Sequence, residues 1–162
     1  AGGSRRQARA GIRRASRPAP GATAALVRRA LEGRADVDAA YLFGSQARGT
    51  ARRRSDVDVA VLFSAGLDPV ERLERRLDLI VALEDRLARP VDVVDMESIP
   101  CVLAHQVLKH GVLLFDRNPR RRIAVEVRHR RAYLDGQRRR AAYFRALVTR
   151  LRADRREGDA LR

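Results

Sequence analysis

The sequence predicts one α/β (α+β) domain, in which helices cover a small mixed sheet. Three observations lead there. Segments of helical and of strand periodicity alternate along the chain, and residues 56–63 alternate in character with a strict period of two. Residues 21–116 hold 13 basic and 15 acidic side chains, the near-balance of a folded domain, whereas both ends are cationic. A chain of 162 residues with 45% apolar side chains suffices for one modest core, and the absence of Trp makes that core aliphatic.

Residues 22–33 read as a first helix, with Ala25, Leu26, Ala30 and Leu31 on one face. Residues 39–43 form a short apolar strand that ends at Gly44-Ser45, where a helical turn begins. In the strand over residues 56–63, Val57, Val59, Val61 and Phe63 point one way and Asp56, Asp58, Ala60 and Leu62 the other. Asp68-Pro69-Val70-Glu71 opens the next helix with an acidic N-cap, Pro in the first turn and Glu at the reciprocal position. Val70, Leu73, Leu77, Ile80 and Leu87 keep helical spacing to about residue 89. Residues 91–96 are another strand, Ser98 caps a helix running to Lys109, and Gly111 ends it. Residues 112–115 make the last short strand. From Pro119 to about residue 153 the pattern is helical and rich in Arg, with Asp135-Gly136 as the point where an interruption is expected.

The expected organisation is therefore a disordered Arg-rich tail (1–20), a core (21–116), a helical extension (117–155) and a second disordered tail (156–162). Residues 1–20 carry six Arg and no acid, and residues 117–162 carry 16 basic and five acidic side chains. Such ends invite a nucleic-acid reading, but no stacking aromatics are interleaved with the Arg runs, and nucleic acid is not the expected partner. A single lysine, Lys109, points instead to GC-rich coding that favours Arg. No apolar run reaches membrane-spanning length, so no membrane role is expected. With Cys101 as the lone cysteine, a reducing cytoplasm is the expected compartment.

The segment that carries chemistry is YLFGSQARGTARRRSDVDVAVLF, residues 41–63. Gly44 lets the backbone turn sharply and a ligand approach closely. Ser45 brings a hydroxyl and free N–H groups to phosphate oxygens, and Arg48 adds a fork of donors. Ten residues after Ser45, Asp56 and Asp58 leave the same strand face, roughly 6–7 Å apart at Cα. Two anions at ~4 Å repel by ~4 kcal/mol at an effective dielectric of 20. A divalent cation between them removes that cost, and magnesium suits hard oxygen ligands that leave room for phosphates.

GSQARG followed by SDVDVAVLF resembles the Gly-Ser, ten-residue spacer, Asp-x-Asp signature of the minimal nucleotidyltransferases, within the polymerase-beta-like superfamily. The resemblance continues through PVDVVDMESIPCVLAHQVLKHGVLLFDRNP and covers about residues 22–150. It implies the polymerase-beta-like nucleotidyltransferase fold with a long C-terminal helix. Carried over by position, it implies Asp56 and Asp58 as paired ligands of two magnesium ions and Asp92 as the third carboxylate. Gly44, Ser45 and Arg48 would hold the nucleotide, expected to be ATP. Strand alternation supports Asp92 separately, since packing of Val91 and Val93 beneath helices turns Asp92 to the cleft. Asp95 is the rival, with a structural role at the following helix start open to it.

The resemblance implies in-line attack on the α-phosphorus with pyrophosphate leaving. Proteins of this kind commonly act as antitoxins that move AMP onto a tyrosine of a HEPN-domain toxin, so a HEPN-type partner is expected. Transfer to a small molecule such as an aminoglycoside is the second reading, and a non-catalytic partner-binding module the third. His105 and His110 have no companion ligands that would make a zinc site, and His129 is expected in solvent. Cys101 reads as a small buried hydrophobe. Arg52, Arg53 and Arg54 read as a solvated loop, with contact to triphosphate or an acidic partner as the other reading, and Tyr143, Phe144, Leu147 and Leu151 as the packed face of the last helix.

Overall fold

A computed structural model describes residues 20–52 and 55–160. The tail expected at 1–20 lies outside the described residues apart from Pro20, as do Arg53, Arg54, the last two residues and the side chains of Tyr143, Phe144, Leu147 and Leu151. Nine elements follow in order: α1 (Pro20–Glu32), β1 (Val37–Phe43), α2 (Gly44–Ala47), β2 (Val57–Phe63), α3 (Pro69–Leu87), β3 (Val91–Asp95), α4 (Cys101–His110), β4 (Val112–Asp116) and α5 (Pro119–Ala160). The four strands form one mixed sheet in the order β3-β2-β1-β4. β1 is antiparallel to both β2 and β4, while β2 and β3 are parallel and joined by the α3 crossover.

Both sheet faces are covered, and the alternation read in β2 sorts its side chains between them. Val57, Val59, Val61 and Phe63 join Val27, Leu31, Leu79 and Leu83 in a core beneath α1 and α3. Ala60 and Leu62 join Tyr41, Phe43, Met96, Val107 and Val125 in a second core beneath α4 and α5.

Five local expectations are corrected. In α1 the fully buried side chains are Thr23, Val27 and Leu31, and Leu26 is exposed. In α3 the capping box forms as read: Asp68 Oδ1 accepts from Val70 N at 2.7 Å and Glu71 N at 2.9 Å, and Glu71 Oε2 accepts from Asp68 N at 2.8 Å. Its inward face, however, is Leu79 and Leu83, with Ile80 and Leu87 partly buried, whereas Val70, Leu73 and Leu77 stand 64, 48 and 51% exposed. Arg72 and Arg76 occupy the inward helical positions of the first turns, and long arginine stems cover apolar surface in a way that hydropathy does not register. Ser98 is not the cap of α4. The N-cap is Pro100, and Ser98 Oγ instead donates to Asp95 O at 3.3 Å in a turn. Finally, α5 passes through Asp135-Gly136 without a break and continues to Ala160, so residues 156–160 are helical where a tail was expected. His129, expected in solvent, is buried with Nε2 2.6 Å from Met96 O, and it ties α5 to the end of β3.

Candidate active site

The strand register builds a row of three residues at one end of the sheet. Phe43 in β1 lies opposite Asp58 in β2, and Asp58 lies opposite Asp92 in β3. Adjacent strands run about 4.8 Å apart, and residues in register point to the same face. Asp58 alternates with Ala60 and Leu62, and Asp92 with Val94 and Met96, so both carboxylates leave the α4/α5 face just beyond the second core. Asp92 is exposed while Val91 and Val93 are buried, as the alternation predicts. Asp56 is exposed immediately before β2.

Gly44 follows Phe43 and opens the four-residue helix α2 with φ +67°. That left-handed backbone favours glycine, and contact requires it as well. A methyl group at Gly44 would collide with the Asp58 carboxylate, standing 2.6 Å from its Cγ. The tight bend and the strand carboxylate are thus pressed together, and only the missing Cβ permits it. Beyond the bend, Thr50 N donates to Ser45 O at 3.1 Å and Arg48 N to Gly44 O at 3.3 Å, which closes a compact turn. Ser45 is half-buried and Arg48 exposed.

Burial raises the Asp58 carboxyl above the ordinary aspartate range, the charges of Asp92 and then Asp56 raise it further, and Arg48 opposes them. Asp92 and Asp56 therefore both lie close enough to act on Asp58. Asp95 is different: it is buried on the opposite strand face, its Oδ1 accepts from Glu97 N at 3.0 Å, and Arg72 lies 3.8 Å away. Its place is the β3–α4 turn.

Residues 27–120, more than half of the chain, match the family described as "Polymerase beta, Nucleotidyltransferase". The chain belongs to the polymerase beta nucleotidyltransferase family. It is similar, at 29% identity and TM-score 0.61, to a chain of a toxin–antitoxin crystal structure with AMP-PNP, covering 77% of this chain and 98% of that one. It is similar at 26% identity and TM-score 0.57 to a chain of the MntA–HepT toxin–antitoxin structure, covering 78% and 97%. A tri-AMPylated Shewanella oneidensis HEPN toxin in complex with its MNT antitoxin provides another match, at 25% identity and TM-score 0.58, covering 80% and 98%. No protein of curated function matches the chain in sequence.

Members of this nucleotidyltransferase family typically use divalent metal ions and nucleoside triphosphates. Among the described residues, no three His, Cys, Asp or Glu side chains already converge as a metal cage. The backbone supplies what such an ion needs: two carboxylates fixed in register, a third two residues upstream, and a cradle against Asp58 that a side chain at Gly44 would fill. Hard oxygens in that number suit magnesium.

Two residues without any local sequence signal frame the site. Gln46, the residue after Ser45, is only 2% exposed. Arg89, just past α3, donates from Nη2 to Ser55 O at 2.7 Å. With the Gln46 amide turned so that its oxygen faces the guanidinium, that oxygen accepts from Arg89 Nη2 at 3.2 Å and Nη1 at 3.3 Å. Neither residue belongs to the signature, and only the folded chain brings Arg89 to it. A separate cleft of about 500 Å³ lies between α4 and α5, lined by His105, Lys109, Arg130 and Tyr133 among others, and contains none of the carboxylates. Its His105 and Tyr133 rings stack with centroids 3.8 Å apart, so His105 packs against α5.

Proposed function

We propose that this chain transfers AMP from ATP to a tyrosine hydroxyl of a HEPN-type toxin and so acts as its antitoxin. The observation that carries the reading is the row Phe43, Asp58, Asp92 with Gly44 pressed against the Asp58 carboxylate. Similarity to chains of toxin–antitoxin structures, one of them with an AMPylated HEPN toxin, supports the choice of nucleotide and acceptor.

In this reading Asp56, Asp58 and Asp92 hold two magnesium ions, which supply positive charge for the oxygens around the α-phosphorus. Gly44 leaves space for the triphosphate, the Ser45 hydroxyl donates to its oxygens, and the exposed Arg48 offsets its charge. Asp92, the most open of the two strand carboxylates, orients the acceptor hydroxyl and takes its proton. The new bond forms between the acceptor oxygen and the α-phosphorus as the bond to the β-phosphate oxygen breaks, and pyrophosphate leaves.

The test incubates the protein with magnesium and labelled ATP, alone, with a HEPN-type toxin, and with a panel of aminoglycosides. Label on a tyrosine of the HEPN protein is the expected result. Label on an aminoglycoside would move the acceptor to a small molecule, and tight association without label would leave a binding module.

A further inference from the structure

We propose that Arg89 is a positioning residue for nucleotidyl transfer, joining the turn that holds phosphate to the segment that presents the metal-binding carboxylates. The proposal rests on the function argued above and deepens it.

Two sets of described residues between Gly44 and Val57 are each held by their own hydrogen bonds. The first is held by Arg48 N to Gly44 O, Gly49 N to Gln46 O and Thr50 N to Ser45 O. The second is held by Ser55 N to Arg52 O at 3.0 Å and Arg52 N to Ser55 Oγ at 2.7 Å. Among the described residues, Arg89 is the group that bonds to both. One acceptor is the buried amide of Gln46, next to Ser45, with its oxygen turned to the guanidinium, and the other is the carbonyl of Ser55, in the peptide that leads to Asp56.

The chemistry suits a guanidinium. A planar fork with several donors spans two acceptors in fixed directions, which an ammonium on a flexible stem does not. A buried amide oxygen also needs a partner, and Arg89 supplies it. Arg89 forms no ion pair among the described residues, so its work is geometric. Its own placement is firm. Ala88, at φ +49°, ends α3 and turns the chain, Pro90 O accepts from Val57 N at 3.0 Å, and Glu84 Oε1 accepts from Val91 N at 3.1 Å. Arg89 thereby extends from the base of β3, three residues before Asp92, and ties all three pieces of the site to one another.

The test compares Arg89→Gln, Arg89→Lys, Gln46→Met and the double variant R89Q/Q46M. Transfer kinetics with ATP and the HEPN protein are read beside thermal melts and amide exchange over residues 44–58. R89Q is expected to melt cooperatively, to lose roughly 10–100-fold in kcat from a misplacement of the order of 1 Å, and to exchange faster at residues 46–50. Q46M should behave alike, and the double variant should lose little more than either single one, because one joint is broken in each case. R89K should recover only a small part. A merely structural arginine would lower the melting temperature and leave kcat intact in the folded fraction, which would overturn the proposal, as would additive losses in the double variant. If the wild type moves no nucleotide, the functional reading falls by itself. Exchange then decides the joint: coupling between Arg89 and Gln46 upholds it, and independence removes it.

Discussion

The two ends of the sheet both gather acids, and they treat them in opposite ways. At the end formed by Val37, Phe63, Asp95 and Asp116, arginines meet the carboxylates. Arg121 Nη1 lies 3.1 Å from Asp38 and its Nη2 2.9 Å from Glu97, while Arg122 Nε lies 2.7 Å from Asp116. Arg121 also donates to Phe63 O, and Arg122 and Tyr41 both donate to Glu126, which fastens α5 across the sheet. At the other end, among the described residues, Asp56, Asp58 and Asp92 have no arginine or lysine within ion-pair distance. In the proposed reading, what faces a carboxylate separates a structural one from a chemical one, and not how many gather.

The largest effect expected from this contrast is on catalysis. Asp58→Asn should lower AMP transfer by roughly three orders of magnitude or more, the scale of removing an electrostatic group from a reacting centre, with circular dichroism unchanged. Asp95→Asn, on the other end of the same β2–β3 pair, should leave kcat within a few-fold of wild type. Comparable losses in both variants would erase the distinction between the ends.

Next in size is Arg121→Met, which leaves Asp38 without its arginine and removes one of the three arginines on Glu97. Its side chain is 19% exposed, and breaking a largely buried pair by removing one partner costs about 3 kcal/mol. Urea melts should register that loss, while nucleotide binding by the folded fraction persists. Gly44→Ala should cost about 1–2 kcal/mol through backbone strain at positive φ, and it should weaken magnesium-dependent AMP-PNP binding because the methyl group displaces the Asp58 carboxylate. Calorimetry with the nucleotide checks the second half of that statement.

The smallest effect concerns the stability stored in repulsion. Asp58 titrates higher in the folded chain than in the unfolded one. The folded state therefore keeps its proton to higher pH, and the stability this confers is lost as pH rises from the ordinary aspartate range through the raised value. At neutral pH the ionised carboxylate is a net cost, so Asp58→Asn should raise the melting temperature slightly. Because the group is only half-buried, solvent screening holds the gain to about 1 kcal/mol or less. The gain should vanish below the usual aspartate pKa. Magnesium should stabilise the wild type by mass action and leave the Asn variant unmoved.

Much of the site was legible because its signals are local. Gly44, Ser45 and the Asp56–Asp58 pair sit within one short segment whose spacing and alternation can be read directly. Asp92 was legible as a face, since Val91 and Val93 flank it, but its pairing with Asp58 depends on a parallel register that no local pattern records. The order of the elements was likewise readable, whereas the inward face of α3 was not, because Arg72 and Arg76 stand where apolar residues would have marked it. Ser98 looked like a cap because of its residue type, yet Asp95 claims its hydroxyl. Arg89 was beyond reach, being a helix-end arginine like many others until the crossover delivers it to Ser55.

The β2–β3 pairing also has a bearing on how the protein is made. A nascent chain that has emerged only as far as Ser64 carries the whole Gly-Ser and Asp-x-Asp signature and still lacks Asp92 and Arg89. A parallel pair needs its crossover built first, so these parts meet only after α3 has packed. In the proposed reading, competence to handle nucleotide therefore waits for the third strand.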